Sequence, residues 1–439
     1  MQNIIEQTKE IDKEYHFFNV IADKIEEKGS GKLKDVVISV KDCICVKDME
    51  SRAGSKILEG YGPVFDATVI EKVKKEGGII IGKTAQDAFG FGSFSTNVGI
   101  GMKIPLNPFD KERSCGGSSG GAAGFTQKAP FNHIALGEST GGSIVAPASF
   151  CGVYGLCPTY GRVSRYGLMD YANSLDKIGP MAKTIEEIAV ILGIIAGYDH
   201  KDSTSVDAPI PNYSDFIKKD IKNKKIGIIK EGFGPGVDKE VKEKVLATIK
   251  ELEKKGAKTE EISLPLTEKY GVACYYLIAM AEASTNLAKY CGMRYGAHEK
   301  VEGNFNKYFS RVRSRNFNEE SKRRIMIGTF ARMAGYRDAY YLKALKVRTR
   351  IIEEYKAAFK KCDILISPTM PIVAPKFSEV KKLTPLQNYM MDILTVGPNL
   401  AGLPHLTIPV GFKDKMPIGL MMIADHFKEE NLIQFGSKK

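Results

Sequence analysis

The sequence predicts an α/β fold, a single large domain in which a mixed β-sheet is covered by helices on both faces. Three observations carry that expectation. Short apolar runs recur from one end of the chain to the other. Amphipathic helical stretches lie between them, and no compositional break, internal repeat or Pro/Ser-rich linker divides the 439 residues. Alternation of this kind is the pattern of one layered sheet rather than of several separate units.

The apolar runs fall at 36–40 (VVISV, ending at Lys41), 78–81, 134–136, 226–229, 364–366, 406–410 and 420–423. Continuous rather than alternating apolar residues suit strands buried on both faces. The clearest helix spans 238–255, with Val241, Val245, Ile249 and Leu252 on one face. Asp238 suits its N-cap and Gly256 its stop. A second long helix is expected over 339–361 and a third over 1–28, within an N-terminal helical segment 1–30. The region 235–360 reads as a largely helical elaboration of the same domain.

Composition narrows the function class. The chain is 43% hydrophobic and 26% charged, as soluble globular proteins are, and has no apolar stretch long enough to cross a membrane. Its charged N-terminus lacks the apolar region of a secretory signal, so a cytoplasmic location is expected. Eight scattered cysteines form no CxxC pair and read as reduced, mostly buried thiols, with no structural zinc. The net charge of +12 raises the question of nucleic acid. The densest basic stretch, 311–324, with Lys343, Lys346, Arg348 and Arg350 after it, reads first as a solvated face and second as a phosphate site.

The chemistry concentrates between Ser114 and Ser143. Two glycine-wrapped serine sites, Ser118–Ser119 and Ser143, stand 25 residues apart at their first members. Glycines let a backbone turn tightly and aim several N–H groups at one point. At Ser143 a buried run, then GESTGGS, then a helix start, places the hydroxyl at the mouth of a sheet beside free N–H groups at a helix N-terminus. No Lys follows these glycines as a P-loop requires. Residues 116–120 match G-x-S-x-G, but the segment before them is polar rather than a strand, which argues against a hydrolase nucleophile elbow.

Lys41-Asp42 at a strand end, CGGSSGG at 115–121, TGGS at 140–143 and FCGVYGLCPTYGRVSRYG at 150–167 together resemble the amidase signature family. The resemblance runs over nearly the whole chain. It implies a Ser–cisSer–Lys triad: Ser143 as nucleophile, Ser118, on a cis peptide bond, as bridging relay, and Lys41 as base. A lysine is protonated at neutral pH, so a base role asks for a pKa lowered by roughly 3, for which burial is one source. The resemblance further implies an oxyanion hole from the N–H groups of Thr140, Gly141, Gly142 and Ser143. Where the family pattern has Asp before TGGS and Arg two residues beyond it, this chain has Ser139 and Val145; Cys43 replaces a common Asn.

Within the family, NSLDKIGPMA (173–182), EASTNLAKYCGMRYG (282–296), KRRIMIGTFA (322–331) and NLAGLPHLTIPVG (399–411) resemble the glutaminase component of tRNA-dependent amidotransferases. That implies glutamine as substrate, its carboxylate on Arg324, its ammonium on Asp392, and Tyr275 in the pocket. It implies two partner subunits, B and C, with mischarged Glu-tRNA(Gln), and often Asp-tRNA(Asn), contacted mainly through B. This chain is then expected to bind no cofactor or metal itself, ATP and magnesium serving the partner. Two alternatives stay open at the level of sequence: a stand-alone amidase on another amide, and a scaffold component with decayed catalysis.

Overall fold

The computed structural model describes residues 2–25 and 29–439. Eleven strands join one mixed sheet: β1 Phe18–Ile21, β2 Val37–Lys41, β3 Ile79–Thr84, β4 His133–Ser139, β5 Tyr154–Cys157, β6 Lys177–Ala182, β7 Lys225–Ile229, β8 Lys258–Ile262, β9 Ile364–Pro368, β10 His405–Lys413 and β11 Met416–Ala424. Their order across the sheet is β1-β3-β2-β4-β6-β5-β10-β11-β9-β7-β8. Parallel pairs lie toward the two flanks (β2 with β3 and β4; β7 with β8 and β9), whereas the centre is antiparallel.

Both faces are buried, as the continuous apolar runs require. Neighbouring residues feed different cores: Ile38, Ile134, Leu136, Leu156 and Ile178 join the larger cluster, while Val37, Ala135, Cys157 and Met181 join a second one across the sheet. This is the period-2 alternation of a strand with apolar residues on each side. All seven runs read from the sequence are strands. Four strands were not anticipated. β1 and β8 are the outermost strands, and β8 (KTEEI) carries charge because its outer side faces water. β5 and β6 are broken up by Gly155, Gly179 and Pro180.

The helix Lys239–Lys254 takes its N-cap from Asp238, whose carboxylate accepts the Glu240 and Val241 N–H groups, and Gly256 follows with positive φ. The helix Lys343–Ala358 is shorter than expected, preceded by a π-helical turn over Asp338–Leu342. The expected helix over 1–28 needs correction. It ends at Tyr15, where His16 adopts φ 58°; the Asp12 carboxylate accepts the Phe18 N–H and turns the chain into β1. Residues 1 and 26–28 lie outside the described residues. Five helices, Lys239–Lys254, Pro265–Asn286, Phe305–Asn316, Glu319–Arg332 and Lys343–Ala358, dominate the described segment 235–360, though it also holds β8. Its basic stretch is partly a solvated face, with Arg315, Lys343, Lys346 and Arg350 exposed, and partly structural: Arg313 donates to the Leu287 and Tyr290 carbonyls, and Arg348 to those of Leu400 and Ser174.

Candidate active site

Three neighbouring segments bring the polar residues together where strands β2 and β4 end. β2 ends at Lys41, whose side chain is fully buried. Its Nζ lies 2.7 Å from Ser118 Oγ, 2.9 Å from the Glu138 carbonyl oxygen and 2.8 Å from Glu138 Oε2. Beside it, Asp42 accepts the Arg52 and Gly54 N–H groups and so fixes the turn that follows the strand.

Ser118 follows a cis peptide bond from Gly117 and precedes the buried helix Gly120–Lys128. The loop is held from outside by Asp87. Its N–H donates to the Ser118 carbonyl, and its carboxylate accepts the Ser95 and Asn97 N–H groups at 2.9 and 2.7 Å. Burial pushes the Asp87 carboxyl up to about 6. No strand precedes Gly116-x-Ser118-x-Gly120, in keeping with the sequence-level argument against a nucleophile elbow.

Ser143 sits in the turn between β4 and the wholly buried helix Val145–Cys151, as the strand–glycine–helix pattern requires. Two glycines there are sterically fixed. A Cβ on Gly141 would lie 2.4 Å from Tyr275 Cζ, and one on Gly142, whose φ is 146°, would lie 2.4 Å from Thr395 Oγ1. The Gly142 N–H already donates to Ser139 Oγ at 3.1 Å. Ser139, standing in the position of an expected Asp, therefore still closes the turn.

Gly141, Gly142, Ser143, Tyr275, Arg324 and Asp392 all line one cleft with Gly90, Gly92, Gly117 and Tyr276. Its free volume, about 10 Å³, is near that of one water. A larger cavity of about 680 Å³ adjoins it and shares Gly92 and Arg324. Arg324, buried in the helix Glu319–Arg332, pairs with Glu320 at 2.8 Å and donates to Tyr171 Oη at 2.6 Å. The rings of Phe91, Tyr171, Tyr276 and Tyr389 surround its guanidinium at 5.0–5.7 Å. Asp392 accepts a 2.6 Å hydrogen bond from Tyr276 Oη, and burial pushes its carboxyl up to about 6. The cleft thus offers one fixed cation and one buried acid beside a serine.

Several contributors were not read from the sequence. Glu138, Asp176, Asp87, Glu320, Tyr171, Tyr276 and Tyr389 all touch residues that were. Glu138 was visible only as a charged residue in an otherwise apolar strand, where burial demands a partner. The tyrosines come from distant segments and carry no local signature. Among the described residues, no cluster of three His, Cys, Asp or Glu side chains could hold a metal, and no helix is long and apolar enough to cross a membrane.

A family model described as Amidase matches residues 6–433. The chain belongs to the amidase family. Curated members resemble it throughout. The A subunit of glutamyl-tRNA(Gln) amidotransferase from Sulfurihydrogenibium sp. (strain YO3AOP1) is 49% identical over 404 residues, 91% of this chain and 82% of that one. The protein of the same name from Persephonella marina is 45% identical and aligns with 100% of this chain and 87% of its own. Among solved structures, the crystal structure of the corresponding A subunit from Thermotoga maritima superposes with a TM-score of 0.85 at 37% identity, covering 99% of this chain and 89% of that one. A 6-aminohexanoate cyclic dimer hydrolase shares the amidase fold at a TM-score of 0.84 and 20% identity, covering 100% and 91% of the two chains.

Proposed function

We propose that this amidase-family chain is the glutaminase component of a tRNA-dependent amidotransferase. The observation that carries the reading is the pairing in one cleft of Arg324 and Asp392 with Ser143. Glutamine presents an α-carboxylate and an α-ammonium, and needs one cation and one anion at fixed separation from the attacked amide. The shared name of the relatives over nearly the full chain supports the same reading.

Ser143 Oγ attacks the side-chain amide carbon, and its proton passes to Ser118, whose own proton passes to Lys41 Nζ at 2.7 Å. The tetrahedral oxyanion is met by backbone N–H groups of residues 140–143; that of Gly142 leaves Ser139 Oγ to take part. The proton returns through Ser118 to the leaving nitrogen, ammonia departs, and a γ-glutamyl ester remains on Ser143. Water then attacks by the same route, restoring Ser143 and releasing glutamate. In the cytoplasmic complex proposed here, subunits B and C accompany the chain. Ammonia passes to B, which activates the tRNA-bound glutamate of Glu-tRNA(Gln) with ATP and magnesium, and in some settings the aspartate of Asp-tRNA(Asn). This chain supplies no cofactor of its own.

A second reading has one observation behind it. The 680 Å³ cavity beside the cleft has room for an amide larger than glutamine. Ammonia release from glutamine, measured for the chain with and without B, C and charged tRNA, separates the two. The proposal predicts release that rises with the full complex. A chain that ignores glutamine in every combination, yet hydrolyses bulkier amides alone, contradicts it.

A further inference from the structure

Behind Lys41 lies a buried polar chain that the triad does not use. Nζ is surrounded by three oxygens: Ser118 Oγ, the Glu138 carbonyl and Glu138 Oε2. A carbonyl and a carboxylate can only accept hydrogen bonds; of the three, only the serine hydroxyl can donate. When Lys41 is a neutral amine, its two N–H bonds are therefore taken by the two Glu138 oxygens. Its lone pair has one remaining direction, toward Ser118.

The far side of Glu138 fixes that arrangement. Glu138 Oε1 and Asp176 Oδ1 each lie 2.8 Å from Thr140 Oγ1. One hydroxyl has a single proton to give, so two acceptors at that distance require one carboxyl to carry a proton and donate to Thr140. Asp176 is that carboxyl. Its other oxygen accepts the Tyr171 and Ala172 N–H groups at 2.8 and 2.9 Å, leaving Oδ1 to hold the proton. Burial first, and the Glu138 charge second, hold Asp176 well above the usual carboxylate range. The donors then run in one direction, from Asp176 to Thr140 to Glu138, and Glu138 stays an acceptor toward Lys41.

The geometry points to Glu138 as a positioning residue for the base: its two oxygens take the two N–H bonds of Lys41, aim the lone pair at Ser118, and go on accepting from Lys41 when it has taken the proton. No proton is gained or lost by the Asp176–Thr140–Glu138 chain in a turnover. The role parallels that of the third member of other nucleophile–base pairs, which orients the base and stabilises its cation. Three of the five side chains in this arrangement lie outside the expected triad, and Glu138 is in β4, one residue before the Ser139 that replaces an expected Asp.

The inference rests on Ser143 as nucleophile, and on the glutaminase reading only for one of its two readouts. Ser143 labelling by a fluorophosphonate probe, per folded molecule of the full chain, reports base action without any substrate. Glutamine hydrolysis in the assembled complex gives kcat and KM. Glu138→Gln keeps a carbonyl acceptor for Lys41 and loses the charge; Glu138→Leu loses both. The expected labelling rate and kcat fall about tenfold in Glu138→Gln and about 100-fold in Glu138→Leu, with KM within about twofold of wild type in both. Thr140→Val, which keeps its backbone N–H, falls about tenfold. Labelling at the wild-type rate in Glu138→Leu overturns the proposal, as do equal losses in the Gln and Leu variants. If wild type labels well but releases no ammonia from glutamine, the glutaminase reading fails while labelling still decides the role of Glu138.

Discussion

The cleft has two walls built in different ways. The chemical wall, Lys41, Ser118, Glu138 and the 140–143 turn, hangs on the ends of adjacent strands β2 and β4 and on the helix after Ser118. Its contacts are direct hydrogen bonds of 2.7–2.9 Å among buried groups. The recognition wall is assembled from the helical elaboration and a later segment: Tyr275 and Tyr276 from one helix, Glu320 and Arg324 from another, Tyr389 and Asp392 from beyond β9. There the charges are framed by aromatic rings. On the proposed function, the rigid sheet fixes the reaction, and the packing of separate helices fixes what is reacted upon. Variants of the first wall should change kcat, and variants of the second KM.

The largest effect is expected at Lys41, the proposed base. Lys41→Met, similar in length and uncharged, should lower kcat by about 10³-fold or more, and adding Ser118→Ala should cost little further, because the two act as a unit. Steady-state ammonia release from both variants checks this; losses that multiply would mean that the residues act independently.

Arg324→Lys comes next. It keeps the charge but removes the fork that holds Glu320 and Tyr171. KM for glutamine should rise about 100-fold with kcat changed by only a few-fold. A loss confined to kcat would break the division between the two walls.

Asp392→Asn is the subtlest, and its sign differs between function and stability. The folded carboxyl is pushed up to about 6 from an ordinary 3.8. A raised acid costs the folded state stability above pH 6, here on the order of 3 kcal/mol, and costs nothing below pH 4, where the group is neutral in both states. Asp392→Asn should therefore melt higher than wild type at pH 7.5, with the gap closing as pH falls through 6 toward 4. Its KM should be about tenfold higher at neutral pH and lose the wild-type rise below pH 6. A melting temperature lower than wild type at pH 7.5 would show that Asp392 is stabilised as an anion instead.

The legibility of the two walls in the sequence differed for the same reason that their construction does. Ser118 and Ser143 sit in short glycine-rich motifs, where the local backbone demand is written in the residues themselves, and Lys41 ends a plain apolar run. Seven of the strands were equally plain, since burial on two faces leaves unbroken apolar runs. Strand β8 escaped because its side chains face water, and β6 because Gly179 and Pro180 interrupt it. The N-terminal helix is shorter than its sequence suggests because it stops at a left-handed His16 and an Asp12 carboxylate that accepts the Phe18 N–H, with no Gly or Pro to mark the end. Tyr171, Tyr276 and Tyr389 escaped because a tyrosine that frames an arginine from a distant part of the chain looks, in sequence, like any core aromatic. Glu138 stood in plain view, and only Lys41 Nζ at 2.8 Å gives it a meaning.

The central claim is that this chain releases ammonia from glutamine through Ser143. Ammonia release by the complete complex carrying Ser143→Ala, set against wild type under the same conditions, tests it most directly. The predicted result is a rate at the level of the complex without glutamine, with the variant still folded and still assembled with its partners. Wild-type release from the Ser143→Ala complex would contradict it.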